Sequence, residues 1–418
     1  MKHIFMLFAL FCPLLASYAV QTWQTQIFSR QVHTLLVVPE NDHMGAPVIS
    51  LNGEQRIVVS FDETGYGIKD YYYTVIHCNA DWTPSLLLPS EAISGFSAGR
   101  FSGELSQNTT TLYANYQTTF PNDDIAFRVS GNYAVLIAED NDFNHPAAVA
   151  CFSVVEPTVT IQARISGTTD IELNGRFQQL EFTVIHSEYT IRDPFSELHV
   201  KVEQNRRSDN AVQEIHPTYT AISKQTYKNN RALIFEGGNQ YRTIDISSEY
   251  TYGGGIERIE FHDDAYHVTL TPDRIRAGVS VPTAGYDADG RLLVNRQHSD
   301  AVAVEADYMW VHFTLPMAKP LPDGNVHILG DLCGNRLDAS SRMAYDAAQG
   351  IYYKSLWLKQ GGYSYQYAFV KNGDVKATLQ PVEGSYWQTD NSYSIYVYHR
   401  PWGERYDKLV GFLTAVND

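Results

Sequence analysis

The sequence predicts an all-β protein, built as a chain of tandem β-sandwich domains. The segments with clear periodicity are short and rich in β-branched and aromatic residues, which is typical of strands. No amphipathic pattern covers three helical turns, and tyrosine, a residue common on half-exposed strand faces, occurs 28 times. The strand-like runs that carry the prediction are 56–61, 133–138, 181–186, 198–202, 266–270, 311–315 and 363–369.

The N-terminus shows the three regions of a secretory signal peptide in order. Lys2 is followed by an apolar run from Ile4 to Leu15, and residues 17–19 (Ser-Tyr-Ala) form a small-x-small cleavage pattern. The apolar run is too short to span a bilayer as a helix. We therefore expect residues 1–19 to be removed and the mature protein to be exported and soluble, with no membrane span.

The charge balance argues against a nucleic-acid partner. The chain carries Lys+Arg 31 against Asp+Glu 47, a formal net charge of −16. Such a surface repels phosphate backbones and anionic lipid.

Three cysteines follow the signal segment: Cys78, Cys151 and Cys333. They lack the close spacing of a disulfide scaffold or a zinc knuckle. Cys78 and Cys151 could pair across one domain and leave Cys333 free. The favoured alternative is that all three are buried as small hydrophobic residues.

Changes in pattern divide the mature chain into three blocks. A Val-Glu-Pro sequence at 155–157 closes the first block, which covers residues 20–157. The second block covers residues 158–304, and a new strand-like run opens a third block at 305–418. Each block has the size of an ordinary domain, so we predict three consecutive sandwiches.

The stretch HCNADW at residues 77–82 combines residue types that serve in nucleophilic catalysis and metal binding. His77 and Cys78 end a strand-like run, and neighbouring strand residues point to opposite faces of a sheet. A Cys–His pair needs side chains within hydrogen-bond reach, which this spacing disfavours. The prediction is a structural corner in which the asparagine and aspartate satisfy turn backbone groups and the tryptophan packs.

A second candidate is the run His262-Asp-Asp264 with His267, which resembles a loose metal cluster. In strand geometry His262 and Asp264 share a face, and His267 is expected on the other. An Asp-Asp turn between two strands explains the run better, so no metal ligands are predicted there. The acidic run at 121–124 lacks the spacing of a calcium loop and is predicted to be a solvated turn.

No motif argues for an enzyme. The sequence has no G-x-S-x-G, P-loop, dinucleotide fingerprint or H-E-x-x-H, and no pair of carboxylates stands out. The tract Gly253–Gly255 has no helical pattern after it, so phosphate binding does not follow. We predict no catalytic residues, no cofactor and no metal. A hydrolase with an unmarked site and an outer-membrane barrel are weaker alternatives.

A succession of motifs runs through the first block. The motifs are, in order, His77–Trp82, Pro84-Ser85, Gly95-Phe96, Asn108-Thr109, Tyr113–Tyr116, Phe120–Asn122 and Ser130–Tyr133. This succession resembles the N-terminal domain of the plug protein of the Bacteroidota type IX secretion system. The likeness continues in residues 241–245 and 306–315, so it covers nearly the whole mature chain. A longer aromatic-asparagine-x-x-Phe-Asp element is common in that family, and this chain departs from it at 239–245.

The resemblance implies a non-catalytic periplasmic protein associated with the inner side of the outer membrane. It implies docking on the large outer-membrane translocon β-barrel, whose periplasmic opening the protein would close when no cargo is in transit. It carries over no catalytic residue, and outside the complex we expect a monomer.

In the third block, the run Val326–Gly330 is followed by a strand rich in Tyr and Phe at 363–369 that runs into an Asn-Gly turn. This arrangement has a weaker resemblance to early-set, immunoglobulin-like domains of glycogen-binding modules. This likeness favours Ig-like or early-set-like sandwiches. It also leaves an alternative function, glycan binding, in which Trp357, Trp387 or Trp402 would stack on sugar rings.

Overall fold

A computed structural model describes residues 22–251, 253–279 and 287–417. The signal peptide predicted at residues 1–19 lies outside these residues. Within the described part of the chain, no helix is long and apolar enough to cross a membrane.

The structure is nearly all β, as the sequence predicts. The first twelve strands are β1 Gln26–Ile27, β2 Val32–Pro39, β3 Val48–Ser50, β4 Ile57–Thr64, β5 Tyr71–Cys78, β6 Ile93–Gly95, β7 Ala98–Arg100, β8 Ser102–Leu105, β9 Tyr113–Phe120, β10 Ile125–Phe127, β11 Gly131–Glu139 and β12 Ala148–Val155. The next six are β13 Thr160–Ser166, β14 Phe177–Ile185, β15 Leu198–Gln204, β16 Tyr219–Ala221, β17 Lys224–Tyr227 and β18 Ile234–Glu236.

Eleven further strands complete the chain. They are β19 Arg242–Asp245, β20 Ile256–His262, β21 Ala265–Leu270, β22 Leu292–Val294, β23 Tyr308–Pro316, β24 Gly324–Leu329, β25 Ala344–Asp346, β26 Ile351–Lys359, β27 Gly361–Lys371, β28 Ser392–His399 and β29 Lys408–Val416. The described helices are single turns: α1 Pro89–Ala92, α2 Pro194–Glu197, α3 Val302–Glu305 and the 3₁₀ turns Arg231–Leu233 and Asp331–Cys333.

The first sandwich comprises strands β1 to β12. One sheet has the order β1-β12-β11-β5-β7, with β3 added parallel to β12, and the facing sheet has the order β2-β4-β9-β8. Alternate residues of β5 (Tyr71, Tyr73 and Val75) point into a core that Phe61 and Tyr116 of the facing sheet share. This period of two is what the sequence pattern predicts for a half-buried strand.

The second sandwich is built from two distant parts of the chain. One sheet has the order β13-β14-β17-β16, and β18 also pairs with β14. The facing sheet is β15-β28-β29, in which Leu198 lies opposite His399 and Gln204 lies opposite Tyr393. The two sheets share one core, which contains Phe182 of β14 and side chains of β28 and β29, the last two strands of the chain.

The third sandwich comprises β19 to β27. One sheet has the order β19-β27-β22, with β24 also paired to β27, and the other has the order β20-β21-β23-β26-β25. Strand β21 runs parallel to β23, so Val268 and Val311 lie side by side in a common core.

The strand pairing departs from the expected division at residues 304–305. Strands β19 to β22 precede that point but belong to the sheets of the third sandwich, and β28 and β29 return to the second. The third sandwich is therefore an insertion between β18 and β28. The choice of a distant pairing partner is not encoded in the local alternation of either strand.

Candidate docking surface and interdomain joints

The histidine of HCNADW is a packed core residue. His77 Nδ1 lies 2.8 Å from Ser85 Oγ, and its Nε2 lies 3.2 Å from the carbonyl oxygen of Ser130. Its ring packs edge-on against the rings of Tyr133 and Tyr406. Burial lowers the pKa of His77 to about 4, so the ring is neutral at physiological pH. Both ring nitrogens are engaged in holding the fold.

Cys78 points to the opposite face of β5, as the strand geometry predicts. It is buried in a small apolar cluster on the outer face of the sheet, which also contains Cys151. Burial raises the pKa of the Cys78 thiol to about 12, which disfavours the nucleophilic thiolate. Strand β11 separates the two cysteines, because Cys78 pairs with Asn132 and Cys151 pairs with Ala134. A disulfide cannot reach across an intervening strand, and all three cysteines, Cys333 included, are free and buried.

The rest of HCNADW forms a tight corner, as predicted. Asp81 Oδ1 accepts hydrogen bonds from the backbone N–H of Thr83, at 3.0 Å, and from its hydroxyl, at 2.6 Å. Trp82 has a φ of 65°, a left-handed conformation that this turn imposes, and it packs on the cysteine cluster.

This corner is also where the first sandwich meets the loop between β28 and β29 of the second. Asp407 Oδ2 accepts a hydrogen bond of 2.8 Å from the backbone N–H of Ala80. The Arg400 guanidinium spans the contact, with 2.7 Å to Asp407 Oδ1 and 2.8 Å to Asn79 Oδ1. Tyr398 donates a hydrogen bond of 2.9 Å to Asn132 Oδ1. We call this contact the corner joint.

Apolar packing accompanies these polar contacts. Val48 and Val155 of the first sandwich share a cluster with Tyr398, Leu409 and Phe412 of the second. The corner joint is thus a small hydrophobic core with hydrogen bonds at its margin.

The corner joint leaves no room for a side chain at Gly131. Its φ is +139°, a region that side chains disfavour, and a Cβ there would lie 2.4 Å from His77 Nε2 and 3.1 Å from the Asp407 carbonyl oxygen. Two motifs of the first block, HCNADW and the Ser-Gly-Asn-Tyr run at 130–133, therefore meet at the corner joint.

The first sandwich meets the third through a buried charge pair. Lys359 Nζ lies 2.6 Å from Asp62 Oδ2, and the two side chains are 2% and 1% exposed. Tyr308 donates a hydrogen bond of 2.6 Å to the same carboxylate, and Asn115 donates one of 2.7 Å to its other oxygen. We call this contact the ionic joint.

The lysine of the ionic joint has further partners. Lys359 Nζ donates to the carbonyl oxygen of Ala303 at 2.7 Å and lies 4.3 Å from the ring centre of Tyr113. Burial lowers the pKa of Lys359, and the Asp62 carboxylate opposes that shift. The ammonium group is held by charge, hydrogen bonds and a cation–π contact.

A second carboxylate extends the same contact. Asp307, directly before β23, accepts hydrogen bonds from the backbone N–H of Thr110, at 2.6 Å, and of Thr111, at 3.1 Å. Arg291 of the third sandwich donates to the carbonyl oxygens of His43, at 2.7 Å, and Gly45, at 2.9 Å. The contact between the first and third sandwiches therefore extends beyond the Lys359–Asp62 pair.

An exposed apolar surface lies beside the corner joint. Leu86, Leu88 and Trp402 are 75%, 63% and 95% exposed, and exposed apolar side chains that lie together can mark an interaction site. Their loops are linked, because Arg405 pairs with Glu91 and donates to the carbonyl oxygen of Leu86. We call this set the Leu86–Trp402 surface.

The tryptophans considered for sugar stacking lie on three different elements. Trp357, on β26, stacks against Tyr308 and packs against Trp310. The Trp387 ring covers the backbone of Gly167 in the second sandwich, and Trp402 lies in the loop after β28. The structure therefore does not bring the three together into one stacking platform.

The prediction that His267 faces away from His262 is wrong. The two rings are stacked with their centres 3.6 Å apart, because the chain reverses at Asp263 and Asp264. Asp264 lies in this turn, which the sequence predicts correctly.

Two other motifs have the predicted local form. In the acidic run at 121–124, Asn122 Oδ1 accepts from the backbone N–H groups of Asp124 and Ile125, which makes a turn into β10. Gly255 leads directly into β20, a strand rather than a helix.

The charged residues of the two joints were not predicted from sequence. Asp62 directly follows the run Ile57–Phe61 and precedes Glu63, so its charge is typical of the end of a strand and did not indicate a buried pair. Nothing pointed to Lys359, because its partner lies 297 residues away. Arg400 and Asp407 sit in a polar loop of ordinary composition.

The described fold and joints define a protein of packed β-sandwiches, in which two of the sequence motifs meet at an interdomain contact. Residues 32–156 match the family model of the type 9 secretion system plug protein 1st domain. The chain is similar to the crystal structure of a hypothetical protein from Parabacteroides merdae ATCC 43184, with 41% identity, 95% of this chain and 100% of that chain covered, and a TM-score of 0.92.

A Biofilm associated protein BSP domain is similar over 95% of this chain and 60% of its own, but with 8% identity and a TM-score of 0.19, too low to indicate a shared fold. A search of curated proteins found no match. Residues 32–156 are therefore a first domain of the type 9 secretion system plug family. This family suggests a cell-envelope location, a partner within the type 9 secretion complex and a structural role.

Proposed function

We propose that the protein is a non-catalytic periplasmic plug that docks on the outer-membrane type 9 translocon barrel and closes its periplasmic opening when no cargo passes. The observation that carries the proposal is the family match over residues 32–156. A plug has to resist deformation under load, and close-packed sandwiches provide that resistance. The corner joint and the ionic joint support the proposal because they fasten the first sandwich to both others.

The Leu86–Trp402 surface is the proposed contact with the barrel. Apolar anchors at the centre of a moderate polar interface suit a contact that has to form and release. The polar groups around it are supplied by Glu91 and Arg405, which pair at its margin.

Affinity purification from cells tests the proposal. A tagged copy, extracted in mild detergent, should recover a large outer-membrane barrel of the secretion system. Recovery of no barrel from cells that are actively secreting would contradict the proposed function.

Variants of the surface separate the docking site from the function. Leu88→Glu with Trp402→Glu should greatly reduce recovery of the barrel, because each change places a charge in a desolvated contact. Ile222→Glu is the matched control, because Ile222 is equally exposed but lies in the turn between β16 and β17. Equal recovery with all variants would mean that the barrel docks on a different surface, and it would not contradict the proposed plug function.

Glycan binding remains the alternative. It predicts a change in tryptophan fluorescence on titration with starch-like oligosaccharides, and a flat titration across a glycan panel would remove it. The placement of Trp357, Trp387 and Trp402 on separate elements does not favour it.

A further inference from the structure

Three histidines form a row across the larger sheet of the third sandwich. His262 on β20, His267 on β21 and His312 on β23 occupy neighbouring strands. The rings of His262 and His267 are stacked at 3.6 Å with an interplanar angle of 16°, and the rings of His267 and His312 are 5.2 Å apart at 13°. Neither the proposed docking contact nor the joints use these residues.

The local turn brings the first two rings together. Asp263 and Asp264 both have positive φ, 50° and 60°, as a tight hairpin turn with a two-residue loop requires. His262 pairs with Ala265, so residue 267, two positions further on, lies on the same face of the sheet as His262.

A chain of hydrogen bonds orients His267. Its Nδ1 lies 3.0 Å from His312 Nε2, and His312 Nδ1 lies 2.7 Å from Ser355 Oγ. His267 Nε2 is shielded from solvent and has no hydrogen-bond partner among the described residues. A buried acceptor without a partner costs less than a buried N–H without one, so the proton belongs on Nδ1, which donates to His312. His267 Nε2 then carries a lone pair that accepts no hydrogen bond from the described residues.

A carboxylate completes the group. Asp263 Oδ2 lies 3.0 Å from His262 Nδ1, and one ligand atom from each of His262, Asp263 and His267 lies within 4.8 Å of the other two. In a tetrahedral zinc site, ligand nitrogens about 2.0–2.1 Å from the metal lie about 3.3 Å apart, and the ligand atoms of this group, all within 4.8 Å of one another, need to move only slightly closer.

We propose that His262, Asp263 and His267 bind a divalent transition metal ion of the zinc class. Imidazole nitrogens select such metals over calcium and magnesium, which prefer oxygen ligands. Two stacked rings point their in-plane lone pairs side by side rather than at one ion, so binding requires the half-exposed His262 ring to rotate. His312 is a positioning residue, because a metal-bound histidine commonly donates its other N–H to a fixed partner. Water would take the fourth position.

Zinc titration of the full mature chain, stripped of metal with a chelator, tests the proposal. Isothermal calorimetry should show one zinc ion per chain, and Co²⁺ should give the visible absorption bands of a tetrahedral site. His262→Gln and His267→Gln should each weaken zinc binding at least tenfold, and His312→Gln by about tenfold with altered Co²⁺ bands.

The control is another histidine–carboxylate pair. His145 Nδ1 lies 2.9 Å from Asp142 Oδ2 on an exposed turn, without a second imidazole stacked on it in the described structure. His145→Gln should leave zinc binding unchanged. The proposal is overturned if the wild-type chain binds no zinc, or if His262→Gln and His267→Gln bind it as the wild type does. Because His262 is exposed, its replacement leaves the folded chain available for this comparison.

Discussion

The corner joint and the ionic joint both fasten the first sandwich, but they bury different chemistry. The corner joint surrounds an apolar cluster of Tyr398, Leu409 and Phe412 with hydrogen bonds, some of them near solvent. The ionic joint buries Lys359 against Asp62 with almost no exposure. Breaking a buried charge pair leaves an uncompensated charge, whereas losing one marginal hydrogen bond leaves the apolar contact in place. The two joints should therefore differ in their tolerance of single substitutions.

The largest effect is expected in the ionic joint. Lys359→Met should lower the free energy of unfolding by about 3–5 kcal/mol, because Asp62 would stay buried without its cation. Urea titration followed by tryptophan fluorescence measures the change. Adding Asp62→Asn should restore part of the loss, and Lys354→Met, on the same strand with a single hydrogen bond to the carbonyl of Ala339, is the control. A loss below about 1 kcal/mol would mean that the buried pair contributes little to the free energy of unfolding.

The stability that His77 contributes beside the corner joint should depend on pH. The folded pKa of His77, about 4, lies below the ordinary value of 6.5, so the unfolded chain binds a proton first as the pH falls. The stability that the neutral ring contributes is complete above pH 6.5 and is lost as the pH falls towards 4. The stability difference between wild type and His77→Gln should therefore shrink by about 1–3 kcal/mol from pH 7.5 to 4.5. A difference that stays constant with pH would contradict the burial of a neutral ring.

A polar substitution in the corner joint should cost less than the loss of Lys359. Asp407→Asn keeps an oxygen for the N–H of Ala80 but weakens the bond to Arg400, for an expected loss of about 1–2 kcal/mol. The measurement is again a urea titration. A loss as large as that of Lys359→Met would erase the distinction between the joints.

The smallest effect is expected at the margin. Arg405 and Glu91 are both exposed, and ion pairs between exposed side chains contribute little. Arg405→Ala should leave the urea midpoint unchanged within error while changing recovery of the barrel if the Leu86–Trp402 surface is the docking site. A clear shift in the midpoint would mean that this pair helps to hold the corner joint.

Local patterns were sufficient to predict the all-β fold, and the motif succession was sufficient to predict the family. All seven strand-like runs fall within or largely overlap observed strands, because alternation is a property of a single segment. The pairing of β28 with β15 was not predicted, since any alternating strand can pair with many others. The prediction for the face of His267 was wrong for a related reason. The turn at Asp263 and Asp264 reverses the chain, so the pairing across the hairpin, and not the count along a single strand, decides which side chains share a face.

The insertion of the third sandwich has a mechanical consequence. The chain enters this sandwich after β18 and leaves it before β28, and both connections start from the second sandwich. A body on one covalent tether can swivel about it, whereas a body held by two neighbouring tethers cannot complete a turn. Torque applied to the third sandwich therefore passes directly into β18 and β28, one in each sheet of the second sandwich, even when the contacts with the first sandwich are broken.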